Sequence, residues 1–244
     1  MEKIVSKTNA RVKKWAKYKE KKYRDSDRCF LVEGEHLLEE AIRAKLLDCI
    51  LVEEGHTYDT RAYPCYEVSS MIMRKLSDSV SGTWLIGVCH MPCPMDFVMG
   101  EKVILLDDVQ DPGNVGTILR SAYSFGFDTV VLSRHCADVY SDKVIRSTQG
   151  ALFHMQVIRT DLSQIIDQLK EKKIPVIGTA LENASAMSTI EVVDRVALLF
   201  GNEGNGVSKE LLAKCDETMY IEMHAFESLN VAVAAGIAMY KFRR

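Results

Sequence analysis

Side chains able to take part in chemistry gather in three loops of this 244-residue chain. The first, DDVQDPGNVGTILR, has Pro112 and Gly113 to set a turn and Asn114 placed to cap the helix that follows. A helix start offers unpaired N–H groups and the positive end of the helix dipole to a polar ligand. On a wheel of about 100° per residue, Val115, Ile118, Leu119 and Ala122 form one face and Arg120 lies roughly 150° from its centre. That position suits a solvated charge as well as a cation aimed at a ligand. The second loop, LLFGNEGNGVS, carries Gly201, Gly204 and Gly206, which let backbone approach a ligand closely. Glu203 in its turn is either a solvated carboxylate or the partner of a cation. The order G-x-x-G-x-G is not the G-x-G-x-x-G of dinucleotide-binding folds, and no Gly-Lys-Ser/Thr follows, which excludes a P-loop. The third loop leads into SLNVAVAAGIAMY. Ser228 is its expected N-cap, Asn230 opens an otherwise apolar helix, and Ala232, Ala235 and Gly236 are small enough to admit another backbone, in the core or at a subunit interface.

The elements that position these loops follow from periodicity. From residue 101, apolar strands (KVILLDD, DTVVLS, FHMQVI, IPVIGTA, RVALLF, TMYIEM) alternate with amphipathic helices (NVGTILRSAYSF, SDKVIRST, DLSQIIDQLK, SKELLAK, SLNVAVAAGIAMYKF), as in a parallel sheet covered on both faces. Ligands of such sheets sit beyond the carboxyl ends of the strands, which directs attention to 107–114, 201–207 and 222–229. Residues 1–90 read as a smaller α/β unit: a helix over 9–24 with Val12, Trp15, Ala16 and Lys19 as its stripe, strand CFLV, and a helix burying Leu37, Leu38, Ala41 and Ile42. Strands LDCILVE, CYEV and WLIGVC and helix SMIMRKL complete it. Residues 91–100, with two prolines, read as the linker to a domain over 101–244.

Composition bounds the rest. Hydrophobic residues at 47% and charged residues at 27% place the chain among soluble globular proteins. No apolar run reaches the roughly 18 residues of a membrane span, and the basic start lacks a following apolar region, so the expectation is a cytoplasmic protein. Seven cysteines suit reduced thiols; Cys89, His90 and Cys93 cluster but lack two further ligands, so no metal is expected. Residues 1–28 carry eleven Lys/Arg, among them Lys13, Lys14 and Arg28, against four acids, on a chain of net charge −3. Such an arm is either a polyanion-binding appendage or a solvated surface helix.

Together the loops resemble the three motifs of the SpoU-type RNA methyltransferases of the SPOUT superclass. N-x-G-x-x-x-R-S-A is matched by Asn114, Gly116, Arg120, Ser121 and Ala122; G-N-E-G-x-G-x-S by Gly201, Asn202, Glu203, Gly204, Gly206 and Ser208; S-L-N-V-x-V-A-x-G-I by Ser228 to Ile237. IRSTQGALF, residues 145–153, and RCFLVEGEHLLEEA add to the likeness. The resemblance implies a trefoil-knotted α/β catalytic domain with a smaller N-terminal substrate-binding domain, and a homodimer with its active site at the interface. It implies methyl transfer from S-adenosyl-L-methionine to a ribose 2′-hydroxyl of RNA, with ribosomal RNA the first expectation and transfer RNA the alternative. It assigns catalysis to Arg120, supported by Glu203, Asn230, Asn114 and Ser228, with Glu203 and Asn230 expected to orient Arg120. Cofactor binding goes to Gly201, Asn202, Ile221, Met223 and Leu229; RNA contacts go to Arg120, Asn114, Lys13, Lys14 and Arg28. The pattern departs at Glu222-Met223-His224-Ala225-Phe226, where the usual Pro and Gly are absent and the loop is one residue short. Rival readings are a non-catalytic RNA-binding module on the same fold, a base-methylating SPOUT enzyme, and a nicotinamide dehydrogenase, whose glycine order is wrong here.

Overall fold

Apolar residues of the first ninety positions alternate at the spacings of a small sheet with helices laid on it. In chain order the elements are β1 (Glu2–Ile4), α1 (Ala10–Lys17), α2 (Lys21–Asp27), β2 (Cys29–Glu33), α3 (Glu35–Arg43), β3 (Leu47–Glu53), β4 (Cys65–Val68), α4 (Ser70–Leu76) and β5 (Leu85–His90). The sheet order is β1-β4-β3-β5-β2, parallel from β1 to β3 and antiparallel beyond. The computed structural model describes residues 2–59, 63–79, 81–224 and 228–243. The chain divides into two units, residues 1–93 with 140–153, and residues 94–139 with 154–244.

The single helix expected over 9–24 is two. Buried Trp15 and Tyr18 turn the chain inward, and the buried Arg24 guanidinium donates to the carbonyls of Tyr18 (2.6 Å) and Lys19 (2.8 Å), satisfying acceptors that a continuous helix would have used itself. The polar run Asp25-Ser26-Asp27 closes α2. Segment 140–153 also belongs to this unit: the Phe30 ring meets Tyr140 at 5.0 Å and Phe153 at 6.0 Å between centroids, and His36 bonds the Gln149 carbonyl at 3.1 Å.

The second unit is built on β6 (Lys102–Leu106), α5 (Pro112–Ser124), β7 (Thr129–Leu132), β8 (Gln156–Arg159), α7 (Leu162–Glu171), β9 (Val176–Thr179), β10 (Ser185–Ala186), β11 (Val196–Phe200), α8 (Lys209–Leu212), β12 (Glu217–Tyr220) and α9 (Val231–Lys241); α6 (Asp142–Thr148) lies in segment 140–153. Every residue of β6, β7 and β11 is buried, so these strands have no solvent face and sit centrally. All six pairings in the order β10-β12-β9-β11-β6-β7-β8 are parallel. Leu162, Ile165, Ile166 and Leu169 of α7 pack on Val103, Leu105 and Leu199 from one side. β6 and β11 are neighbours, so the loops that leave their carboxyl ends begin side by side.

Candidate active site

A proline at the first helical position removes a donor that would have been orphaned, and the residue before it becomes the natural cap. Asp111 takes that place in α5, accepting from the Asn114 N–H at 2.9 Å. Asn114, expected as the cap, lies inside the first turn, and its amide is left for other work. Its Nδ2 donates to Glu203 Oε1 at 2.9 Å, and its Oδ1 accepts from Asn230 Nδ2 at 3.0 Å. Asn230, not Ser228, caps α9: its Oδ1 accepts from the N–H groups of Ala232 (2.9 Å) and Val233 (3.3 Å). One hydrogen-bonded relay, Asn230–Asn114–Glu203, therefore joins the three loops across sequence separations of 116 and 89 residues.

The Glu203 carboxylate also accepts from the backbone N–H groups of Asp111 (3.3 Å) and Gln110 (3.5 Å). Partial burial by itself would raise its pKa, but the Asn114 amide and these N–H groups outweigh that, and Glu203 titrates below the ordinary carboxylate value. Its loop is a tight hairpin in which Asn202 and Gly206 exchange backbone hydrogen bonds of 3.0 and 2.9 Å. A Cβ on Gly201 would stand 2.0 Å from the Gly206 carbonyl carbon, so this glycine serves the closure of the hairpin. Asn202 pins the hairpin to the first loop, its Nδ2 donating 2.8 Å to the carbonyl of Asp108, which holds a left-handed φ of 54°. Ser208 occupies the N-cap position of α8 without a side-chain cap bond, and its N–H donates to Asp107 Oδ2 at 2.9 Å. Asp108 and Asp111 are site residues that motif reading passes over; the Asp-Pro-Gly order was the available signal for Asp111.

Arg120 stands on the exposed side of α5, and among the described residues its guanidinium has no hydrogen-bond or ion-pair partner. The orienting contacts expected from Glu203 and Asn230 are not made; both residues hold Asn114 instead. Ile221 and Met223 follow β12 and are half-buried, Leu229 precedes the α9 cap and is exposed, and Ser228 is exposed beside it. Among the described residues the backbones of Gly201, Ile221 and Leu229 make no hydrogen bonds, so their N–H and C=O groups are available to a heterocyclic edge, and the side chains of Ile221, Met223 and Leu229 offer apolar surface. This donor set fits an adenosyl group. Ala225 and Phe226 of the shortened loop lie outside the described residues. In the other unit, Lys13 is exposed, Lys14 pairs with Asp27 at 3.5 Å, and Arg28 is occupied by the Pro92 carbonyl. No group of three or more His, Cys, Asp or Glu able to hold a metal occurs among the described residues, nor any helix long and apolar enough to cross a membrane.

Comparison with known proteins places this geometry. Residues 101–240 match the SpoU rRNA methylase family model, and residues 9–86 match an MRM3-like substrate binding domain. The chain is 40% identical, over the whole of both sequences, to the 23S rRNA (guanosine(2553)-2′-O)-methyltransferase RlmP of Bacillus subtilis. Among solved structures, the AdoMet-bound rRNA methyltransferase of Sinorhizobium meliloti superposes with a TM-score of 0.87 at 26% identity, covering 98% of this chain and 96% of that one. The SpoU methyltransferase AviRb of Streptomyces viridochromogenes, in complex with AdoMet, gives 0.84 at 25% identity, covering 96% of each. The motif loops, their meeting at the ends of β6 and β11, and these full-length likenesses lead to one conclusion: this chain belongs to the SpoU rRNA methylase family.

Proposed function

We propose that the protein transfers a methyl group from S-adenosyl-L-methionine to a ribose 2′-hydroxyl of ribosomal RNA. The observation that carries this reading is the Asn230–Asn114–Glu203 relay at the sheet's carboxyl edge, with Arg120 exposed on the helix that the relay anchors. The full-length likeness to a 23S rRNA 2′-O-methyltransferase supports it. When bound, the cofactor supplies an electrophilic methyl group. The transfer would form a bond from O2′ to the methyl carbon, break that carbon's bond to sulfur and pass the hydroxyl proton to solvent water. A ribose hydroxyl is a weak nucleophile at neutral pH, so the protein must lower the cost of its negative charge. Arg120 does this as a planar cation that holds the neighbouring phosphate and the developing alkoxide together, acting as a charge and a hydrogen-bond fork rather than as a base. Glu203 and Asn230 hold Asn114 against the nucleotide, and Ser228 completes that side of the site. Gly201, Asn202, Ile221, Met223 and Leu229 hold the cofactor.

The active species is a homodimer. The apolar cleft of about 440 Å³ between α5 and α9, lined by Phe125, Val233, Ile237 and Tyr240 among others, supports this, as does the helical spacing of the last three, which are 51%, 37% and 56% exposed. The test is transfer of labelled methyl to unmodified ribosomal and transfer RNA, followed by nucleoside digestion. A 2′-O-methylated nucleoside from ribosomal RNA that vanishes with Arg120→Ala is the expected result. A methylated base, or label on transfer RNA alone, overturns it.

A further inference from the structure

The segment that carries the first loop and its helix is sparing with cations. Residues 94–139, which include the first loop and α5, contain seven acidic residues and only three basic ones, Lys102, Arg120 and Arg134. Lys102 is buried, its ammonium on the Phe242 carbonyl. Arg120 and Arg134 are the exposed two.

Arg134 sits in the turn Ser133–Ala137, which leaves the carboxyl end of β7, next in the sheet to β6. The backbone of that turn is gripped by one side chain. Arg159, at the end of β8, donates from Nη1 to the carbonyls of Ser133 (2.8 Å), Arg134 (3.0 Å) and Cys136 (2.9 Å), and from Nη2 to that of Ala137 (2.7 Å). Among the described residues Arg159 pairs with no carboxylate, so its charge is spent on carbonyl dipoles and still contributes positive potential to the turn. The turn is also tied to the first loop. The Ala137 N–H donates to the Val109 carbonyl at 2.9 Å, Asp108 N–H donates to Ser133 Oγ at 2.8 Å, and the Cys136 thiol donates to the Leu106 carbonyl at 3.2 Å. Asp108 is the residue whose carbonyl anchors Asn202 of the Glu203 hairpin. The turn is thus held in register with the relay at both its ends.

Its backbone is fixed, yet the side chains of Arg134 and His135 are exposed and have no side-chain partner among the described residues. A rigid backbone that presents an unpaired guanidinium at the rim of an acidic unit is a contact for a phosphate. Resting on the reaction argued above, we propose that Arg134, flanked by His135, binds a backbone phosphate of the RNA substrate beside the reacting nucleotide, and that Arg159 is the positioning residue that holds it there. The contact is sequence-independent: it sets where the strand lies across the site, not which base is read.

The experiment uses the full-length protein and an unmodified ribosomal RNA fragment, with dissociation constants measured by fluorescence anisotropy over a salt series. Arg134→Gln weakens RNA binding several-fold and reduces the slope of log K against log[salt] by about 0.7–0.9, the loss of one phosphate contact. Arg134→Lys keeps the slope, and cofactor affinity is unchanged in both variants. An unchanged slope in Arg134→Gln overturns the proposal, as does a parallel loss of cofactor affinity, which would make the residue structural. Methyl transfer with an unchanged slope sinks this contact alone. A reduced slope in a protein that methylates no RNA upholds the contact and sinks the reaction instead.

Discussion

Asn114 uses both ends of one amide, donating to a carboxylate and accepting from a second amide, and a carboxylate at that position would face Glu203 with like charge. Removing it therefore tests the relay through its neighbour. Glu203 is held below its ordinary value of 4.5 in the folded protein. A depressed carboxyl contributes stability that is present above the unfolded value and lost as pH falls through the folded one. The contribution is thus complete at neutral pH and fades below about pH 4.5. In Asn114→Ala the strongest of the favourable hydrogen bonds is gone, and the Glu203 titration, followed by carboxyl-carbon NMR, moves up; an unmoved midpoint removes Asn114 from the relay. Arg120 poses a different question, because no side chain among the described residues pairs with it. Arg120→Ala lowers kcat about 100-fold, the scale of losing a preorganised donor to a developing oxyanion, while cofactor affinity holds. Arg120→Lys keeps the charge and loses the fork; near-normal turnover in steady-state kinetics rules out a role for the planar guanidinium.

Elements place these side chains through their ends. α5 begins where Asp111 caps it, and Asp111→Ala costs about 1 kcal/mol by chemical denaturation, the usual loss for an N-cap. The Glu203 hairpin closes only without a side chain at residue 201, so Gly201→Ala forces apart backbone atoms that a Cβ would approach to 2.0 Å. Calorimetry then finds cofactor binding lost while far-ultraviolet circular dichroism stays near that of the parent; retained binding would show that the hairpin yields. Much of this level is legible in the sequence, because a strand such as VALLF with no polar position must be central and a loop such as GNEGNG must turn. The caps are less so. Asn114 and Ser228 look like caps because Asn and Ser are good ones, yet Asp111 and Asn230 win, the former because Pro112 fixes the first helical residue. The break between α1 and α2 is invisible to periodicity, since it is stabilised by Arg24 reaching back to two carbonyls rather than by any local signal.

At the scale of the molecule, what the sequence hides is long-range partnership. Nothing in DKVIRST says that segment 140–153 leaves the catalytic alternation to pack its flanking aromatics on Phe30, and nothing in three separate motifs says that Asn114 links the other two. The apolar character of α9 is legible, but which side stays uncovered is not: Val231, Ala235 and Met239 are buried, while Val233, Ile237 and Tyr240 are left exposed beside α5. Three large apolar residues on one exposed face lose free energy to water that a second copy would recover, at about 25 cal/mol for each Å² covered. A two-fold interface doubles every such contact. Placing one charge in that face is correspondingly costly to the proposed dimer and nearly neutral to the isolated chain, where position 233 is already half in water. Val233→Glu is therefore expected to sediment at 27.5 kDa where the parent sediments at about twice that mass. Far-ultraviolet circular dichroism should be unchanged and methyl transfer lost. A parent protein that is monomeric at micromolar concentration, or a monomeric variant that keeps full methyl transfer, shows that the face between α5 and α9 is not where the active species is completed.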